Sequence, residues 1–336
     1  ILNQTEPDFE LIIVDDASTD NTKEVLAKYS DPRIRIITHA YNQGVNAGMN
    51  HGIEAAAAPL VTKIDPDDVA ELDFLKKALK ILSERPEVNL LYVSLSCIDE
   101  NNNPLPRKVI LNSKMTAADC LKRMFFVRNC LSASGMVFRK EAIMPYLPLH
   151  QGLLHFSDSF MHIVLLMENE PVILEDMLIK YRRQSFASAK NASARNAAAR
   201  RRTVLETPGQ MDAFLHIKST EKLLAVFPDN PLFKTMPPHN ETIPFLLGHL
   251  ALQSPKLSKR MWGYHTIMHF LAKPQNFDSV NELYGFTFQQ FLKIAQNPEM
   301  DVIVNKSSIR IIRFLRKLYS PYDYFRMWMK AKRKKY

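Results

Sequence analysis

Cysteine is scarce in this sequence, with Cys97, Cys120 and Cys130 as its three examples among 336 residues. They form no CxxC pair, and no histidine follows at a spacing typical of zinc ligands. The sequence therefore indicates neither a disulfide framework nor a structural zinc site. Free thiols are typical of proteins in a reducing compartment. We therefore expect a cytoplasmic location.

Long apolar runs are also lacking. A membrane-spanning helix needs about 18 consecutive apolar residues, whereas the longest runs here, around residues 160–167 and 243–252, have the length of core helices. We therefore expect a chain that is not integral to a membrane. The sequence contains no aromatic RNA-binding motif and no zinc knuckle, which argues against nucleic acid as the partner.

The sequence does have ample apolar material and an excess of positive charge. Apolar residues make up 46% of the chain, whose length corresponds to one large domain or two modest ones. The formal net charge of +9 favours contact with an anionic partner. Charge alone does not choose between nucleotide phosphates, nucleic acid and a membrane surface.

Two buried-strand patterns end in acids. Residues 9–14 (FELIIV) and 60–64 (LVTKI) have the apolar, β-branched pattern of buried strands. The acids that follow them are Asp15 and Asp16, and Asp65, Asp67 and Asp68. Ligands of open α/β sheets bind beyond the carboxyl ends of the strands, so we expect both groups at one edge of one sheet. Asp after a strand is also a common helix cap or turn residue, and this structural interpretation stays open.

Asp65 and Asp67 stand one residue apart on the predicted loop. Two such carboxylates repel each other and lose hydration unless a positive charge lies between them. Mg²⁺ or Mn²⁺ fits this position, because these ions bind carboxylates together with substrate phosphates. We therefore favour a divalent cation site over a purely structural turn.

Strand and helix patterns alternate over the first 205 residues, which predicts a doubly wound α/β layer. Residues 42–52 hold three of the nine glycines and are interpreted as a loop before a helix at 53–58. Helical, Met- and Phe-rich segments dominate after residue 205. We therefore predict an α/β domain over 1–205 and a helical domain over 206–336. Further strands are predicted at 34–38, 89–96, 135–138 and 171–175, and further helices at 74–82 and 157–167.

The segment 179–203 contains eight basic residues and no acid. An alanine-rich helix with a solvated face is one interpretation of this composition. A lid that screens phosphate charge is the other, and the sequence supports both.

Three motifs together resemble one family. The stretches QTEPDFELIIVDDASTDNT, NQGVNAGMNHGI and KIDPDD resemble, in order, spacing and strand context, the N-terminal half of the family 2 glycosyltransferases, which have the GT-A fold. The resemblance covers about residues 1–205. It implies a mixed sheet flanked by helices, followed here by a mainly α-helical region. It also implies that the family's first strand, with its base-contacting residues, would precede Ile1.

The resemblance implies roles for the acids on the donor side. Asp15 and Asp16 would lie at the nucleotide, and Asp65 and Asp67 would be the DxD pair near the ribose and the metal. The implied cofactor is a divalent cation, manganese or magnesium. The implied donor is a nucleotide diphosphate sugar, with a UDP-sugar as the first choice.

Two further segments resemble the family. FSDSFMHIVLL resembles the acidic segment that opens a helix and carries the catalytic base, which here would be Asp158. YRRQ resembles the segment after the last strand, where Arg182 or Arg183 would contact phosphate. A carboxylate that takes the proton of an acceptor hydroxyl allows a single displacement, which inverts the anomeric centre. The implied acceptor is a glycan or a lipid-linked glycan, as in polysaccharide biosynthesis.

Two other classes of protein remain as alternatives. DPDDV fits the DxDx[TV] pattern of haloacid-dehalogenase-type phosphatases, with Asp65 as nucleophile and Asp67 as acid. That motif should follow the first strand of its sheet, whereas at least two predicted strands precede it here. The second alternative is a non-enzymatic adaptor at a membrane surface. The intact acids Asp65, Asp67 and Asp158 argue against it.

Residues 307–336 have the pattern of a basic amphipathic helix. Arginines alternate with an apolar stripe, and aromatic residues and a final KAKRKKY follow. A helix packed on the core with a solvated tail is the structural alternative. We favour attachment to an anionic membrane surface, as a peripheral protein on its inner face. The stripe consists of Ile311, Ile312, Leu315 and Leu318.

We predict that the whole chain co-sediments with vesicles of anionic lipid at low salt and that a chain ending at Asn305 does not. Each basic residue near an anionic bilayer contributes about 1 kcal/mol, and aromatic residues favour the interfacial layer. High salt should release the whole chain, because it screens these charges. Equal pelleting of both chains would contradict the prediction.

Overall fold

The computed structural model describes residues 1–109, 115–183 and 197–297. Gln184, most of the basic segment 179–203 and the predicted amphipathic helix at 307–336 lie outside these ranges. The chain divides into two compact units, Ile1–Phe286 and Thr287–Tyr336. The predicted domain boundary near residue 205 stays a prediction.

All strands of the described ranges precede residue 183, and helices alone follow residue 197. The strands are β1 Leu11–Asp15, β2 Ile34–Thr38, β3 Leu60–Lys63, β4 Val69–Ala70, β5 Leu90–Ile98, β6 Pro104–Val109, β7 Met136–Arg139 and β8 Pro171–Arg182. The helices in the first part are α1 Thr22–Leu26, α2 Val45–Ala55, α3 Phe74–Glu84, α4 Ala117–Phe126, α5 Lys140–Ile143 and α6 Ser157–Glu168. The later helices are α7 Ala197–Asp212, α8 Thr220–Val226, α9 Leu232–Thr235, α10 Ile243–Leu252, α11 Leu257–Leu271, α12 Pro274–Tyr284 and, in the second unit, α13 Phe288–Gln296.

The strands form a mixed sheet, as predicted. Among the described residues, six strands lie in the order β3-β7-β5-β8-β4, with β6 paired to β5. β5 and β8 are parallel, whereas β3–β7, β5–β7, β4–β8 and β5–β6 are antiparallel. The expectation that both acidic strand ends share one sheet was wrong. β1 pairs in parallel with β2 in a separate two-stranded sheet, while β3 takes β7 as its hydrogen-bonding partner.

The interpretation of residues 42–52 as a loop was also wrong beyond Gly44. The helix begins at Val45, and Gly48 and Gly52 lie inside it. A Cβ at either glycine would lie 3.6–3.7 Å from a methyl group of Val14, so these glycines let α2 pack closely on β1. Glycine therefore allows close helix–strand contact here, although a glycine-rich segment is more typical of a turn.

The core of the sheet layer is built on β5. Most of its side chains are buried, as expected for a central strand with neighbours on both sides. Phe74, Ala78 and Leu82 form one buried face of α3 and pack in the same cluster as Leu91 and Val93. Their spacing of four residues explains why the sequence predicted this helix.

The helices after residue 197 join the sheet layer through aromatic contacts. Phe125 of α4 makes edge-to-face contacts with Phe214, Phe227 and Trp262, with ring centroids 4.9–6.2 Å apart. Edge-to-face pairs of this kind contribute stability beyond that of the apolar area that they bury. The mainly helical C-terminal region is thereby confirmed, and its helices up to α12 pack within the first unit. In the ranges that the structure covers, no helix is long and apolar enough to cross a membrane.

Gly135, directly before β7, has a backbone conformation that only glycine adopts easily (φ +79°). Its N–H donates to the carbonyl of Lys63 at 2.8 Å. A Cβ at this position would overlap Ile179 Cγ1 and lie 2.9 Å from Val93 Cγ2. The absence of a side chain therefore allows β7 to approach β5 and β8.

We predict that Gly135→Ala lowers the free energy of unfolding by at least about 3 kcal/mol, because it adds core overlap to backbone strain. Gly285→Ala is the matched control, since Gly285 has φ +62° but nothing within 4 Å of an added Cβ. The control should lose only about 1 kcal/mol, the cost of the backbone strain. Urea unfolding measures both, and equal losses would contradict the role assigned to packing.

Candidate active site

The exit of β1 places two acids in different surroundings. Asp15 is buried, and its Oδ1 accepts the N–H of Ser18 at 3.0 Å across a turn in which Ala17 has φ +57°. The hydrogen bonds from Ser18 hold the pKa of Asp15 below its usual value. Its Oδ2 is buried without a hydrogen-bond partner in the described part of the chain. The predicted contact of Asp15 with the nucleotide stays a prediction.

Asp16 uses its carboxylate to hold residues 42–44, the short loop before α2, which we call the glycine loop. Its oxygens accept the N–H groups of Gln43 at 2.7 Å and Gly44 at 2.8 Å, and Oδ1 lies 2.7 Å from His39 Nδ1. Burial alone would raise the pKa of Asp16, but these donors hold it below its usual value. His39 Nε2 lies in turn 2.7 Å from Nδ1 of His51 in α2. Asp16 thus fixes the loop, while its predicted contact with the nucleotide stays a prediction.

The DxD turn follows β3 directly. Lys63 Nζ lies 2.6 Å from Asp65 Oδ1, because residues two apart on an extended strand point the same way. The carbonyl of Asp65 accepts the N–H of Asp68 at 3.0 Å, which closes the turn and leaves Asp67 partly exposed. Asp68 is the inner acid of the three, and its burial raises its pKa to about 6.

Asp158 lies in the first turn of α6, where the sequence predicted the base. Its Oδ1 is 3.1 Å from the same Lys63 Nζ that contacts Asp65. The lysine side chain is 16% exposed, and that of Asp158 is 36% exposed. Burial alone would lower the pKa of Lys63, but Asp158 and Asp65 hold it above its usual range. The structure thereby brings together two of the predicted acids that lie far apart in the sequence.

The helix that carries Asp158 is anchored to the central strand. His162, one turn further along α6, has its Nδ1 2.8 Å from the hydroxyl of Tyr92 in β5. Burial, with a smaller contribution from Lys63, lowers the pKa of His162 to about 3, so its ring is neutral at ordinary pH. A neutral ring suits this buried pair, since a charge would cost far more to bury.

Arg182 holds the DxD turn. Its Nε donates to the carbonyl of Asp67 at 2.8 Å, and its Nη atoms donate to the carbonyl of Asp99 at 2.8 Å and to Asn102 Oδ1 at 2.7 Å. Its backbone N–H donates to Asp68 Oδ1 at 2.9 Å. Each guanidinium nitrogen therefore has a protein acceptor, which is the arrangement of a positioning residue.

Arg183 differs from its neighbour. Its Nε is buried and has no hydrogen-bond partner in the part of the chain that the structure describes. An arginine donor without a protein acceptor suits a phosphate oxygen. Of the two predicted phosphate ligands, Arg183 is the one whose Nε lacks an acceptor among the described residues, and its contact with phosphate stays a prediction.

Lys63 was missed in the sequence interpretation. Its signal was present, because a lysine interrupts the apolar run LVTKI two residues before an acid. Alternation along a strand places Lys63 and Asp65 on one face. The second contact, to Asp158, depends on how α6 packs and has no sequence signal.

Asp65 and Asp67 are the residues that fit a divalent cation. They provide two carboxylates on one turn, and no group of three or more His, Cys, Asp or Glu able to hold a metal occurs in the described ranges. Mg²⁺ and Mn²⁺ in phosphate-binding sites use one or two carboxylates plus substrate oxygens. The residues present therefore fit such an ion when a diphosphate supplies the remaining ligands.

Known proteins resemble this chain in sequence and in fold. Residues 1–147 match the model of the family described as glycosyl transferase family 2. TuaG of Bacillus subtilis is 31% identical over 143 residues, which are 42% of this chain and 55% of TuaG. The Escherichia coli UDP-Glc:alpha-D-GlcNAc-diphosphoundecaprenol beta-1,3-glucosyltransferase WfgD is 25% identical over 170 residues, 50% of this chain and 62% of WfgD. The chain thus spans less than two thirds of these relatives.

The fold agrees with this match. Residues 1–349 of S. aureus TarS, crystallised with UDP-GlcNAc, superpose with a TM-score of 0.53 at 16% identity, over 84% of this chain and 85% of that one. The mixed sheet flanked by helices and the helical region after it are common to both, which confirms the GT-A fold. The chain is therefore similar to glycosyl transferase family 2 over residues 1–147.

Proposed function

We propose that this chain is an inverting, metal-dependent hexosyltransferase that moves a sugar from a nucleotide diphosphate sugar to a hydroxyl of a glycan or lipid-linked glycan. The observation that carries the proposal is the shared contact of Asp65 and Asp158 with Lys63, at 2.6 Å and 3.1 Å. A donor-side carboxylate and a candidate base lie a few ångströms apart, which is the separation that transfer between two bound substrates requires.

The donor side consists of the DxD turn and the groups around it. Asp65 and Asp67 would hold the divalent cation, which neutralises the diphosphate and makes it a better leaving group. Arg183, with its unpaired Nε, is the candidate for a further phosphate contact. Asp15, whose Oδ2 has no partner among the described residues, would contact the nucleotide.

The acceptor side is Asp158. Its carboxylate takes the proton as the acceptor oxygen bonds to the anomeric carbon, and the bond from that carbon to the diphosphate breaks. The products are the inverted glycoside and the nucleoside diphosphate. Lys63 Nζ, 3.1 Å from Asp158 Oδ1, holds the carboxylate in place for the transfer.

The comparisons support the substrate classes. WfgD is named for a UDP-Glc donor and a diphosphoundecaprenol-linked acceptor. TarS is crystallised with UDP-GlcNAc. A UDP-sugar is therefore the donor that we propose, and a lipid-linked acceptor would agree with peripheral attachment through residues 307–336 on the inner face of the membrane.

We predict that nucleotide diphosphate binding depends on a divalent cation held through Asp67. Calorimetry with UDP and UDP-sugars should show that Asp67→Ala lowers affinity in Mn²⁺ at least about tenfold, or about 1.4 kcal/mol. Asp20→Ala is the matched control. This exposed acid follows the end of β1, and its Oδ1 accepts the N–H of Thr22. Wild-type affinity that is the same in Mn²⁺ and in EDTA would falsify the metal assignment.

We predict that Asp158→Asn keeps donor binding and loses turnover by a factor on the order of 10² or more, the usual contribution of a general base. Glu141→Gln, an exposed acid in the first turn of α5, is the control and should keep turnover. Single-turnover assays with product analysis measure both variants. Undiminished turnover in Asp158→Asn, or a product of retained configuration, rules the assignment out.

A further inference from the structure

The loop that leads into α6 is held by one carboxylate from the helical region. Oε2 of Glu206, in α7, accepts the N–H groups of Leu154 at 3.0 Å, His155 at 2.6 Å and Phe156 at 3.3 Å. Three consecutive N–H groups that converge on one oxygen form a concave site suited to an anion. Here a side chain of the protein itself fills that site.

Glu206 also places a negative charge at the start of α6, where it accepts the N–H of the N-cap residue at 3.3 Å. Phe156 is the N-cap residue, and it makes no side-chain hydrogen bond to the helix. The free N–H groups at a helix start need acceptors, and a negative charge there is favourable. At the other end of α6, Lys222 Nζ lies 3.2 Å from Glu168 and donates to the carbonyl of Met167. The helical region therefore places an anion at the start of α6 and a cation at its end.

The same loop is also held by hydrogen bonds from α2. Asn50 and Leu149 exchange two hydrogen bonds of 2.8 Å and 3.1 Å, and Asn46 Nδ2 donates to the carbonyl of His150 at 2.6 Å. Both asparagines are buried. The loop of residues 149–156 is thus held between the helix that follows the glycine loop and α7.

α7 is itself firmly attached. Trp262 Nε1 of α11 donates to Asp212 Oδ1 at the end of α7 at 2.8 Å. An added Cβ on Gly209 would lie 3.0 Å from Leu153 Cδ2, so α7 packs closely on the loop next to Glu206. Glu206 is therefore presented from a supported helix.

We propose that Glu206 is a positioning residue that fixes the start of α6 and thereby keeps Asp158 beside Lys63. The proposal rests on the proposed function, in which Asp158 is the base. Asp158 follows Phe156 by two residues, so a displaced helix start displaces the carboxylate. A misplacement of about 1 Å in a reacting group can cost on the order of 10² in rate. The helical region thus takes part in the acceptor side of the site.

Hydrogen exchange and kinetics on the full chain test this proposal. In Glu206→Ala, the amides of Leu154, His155 and Phe156 should exchange at least about tenfold faster, because they lose their acceptor. Turnover should fall at least about tenfold, while UDP affinity stays within about twofold. Glu206→Gln retains an acceptor oxygen and should show smaller effects, and it carries the test if the alanine variant does not fold. Glu221→Ala, an exposed acid in the first turn of α8, is the control.

The two measurements separate the possible failures. Unchanged exchange in Glu206→Ala and Glu206→Gln would show that the carboxylate does not hold the loop. Faster exchange with unchanged turnover would overturn its role in positioning Asp158. A wild-type chain without sugar transfer contradicts the proposed function instead, and the exchange rates then decide by themselves whether Glu206 holds the start of α6.

Discussion

The ammonium group of Lys63 between the carboxylates of Asp65 and Asp158 is the interaction on which the candidate site depends. Two carboxylates this close in a partly buried cleft would repel each other without a cation between them. The lysine can take this position because β3 is paired with β7 and because Gly135 binds the carbonyl of Lys63 at 2.8 Å. Strand pairing, a glycine without a side chain and the packing of α6 therefore all serve one ion-pair cluster.

The charged residues around this cluster divide into two groups. Asp16 and Arg182 have their polar atoms committed to the protein, Asp16 to the glycine loop and Arg182 to the DxD turn and the carbonyl of Asp99. Asp15 Oδ2 and Arg183 Nε are buried without such partners in the described ranges. A buried polar atom without a partner costs free energy, which a ligand that supplies the missing hydrogen bond recovers. In the proposed function, the second group is the one that contacts the substrate.

The helical region after residue 197 supports the candidate site through contacts with the helices of the first part. The aromatic contacts of Phe125 join it to α4, while Glu206 and Lys222 contact opposite ends of α6. A helix held at both ends and anchored to β5 through His162 presents its first turn in a fixed position. Rigid support of this kind suits the role of base that we propose for Asp158, because proton transfer depends on distances of a few tenths of an ångström.

The sequence by itself determined the local features of this protein. Apolar, β-branched runs specified most strands, helical spacing specified α3 and α6, and the acids at strand exits marked the candidate site, because these patterns depend on neighbouring residues alone. Glycines misled the interpretation of α2, since the close contact with Val14 that they permit lies outside their own segment. Only the tertiary structure decided that β1 and β3 lie in separate sheets, that Lys63 joins Asp65 to Asp158, and that Glu206 holds the start of α6. Each of these features depends on residues far apart in the chain. Strand pairing and helix packing therefore determine them, and no local sequence pattern encodes strand pairing or helix packing.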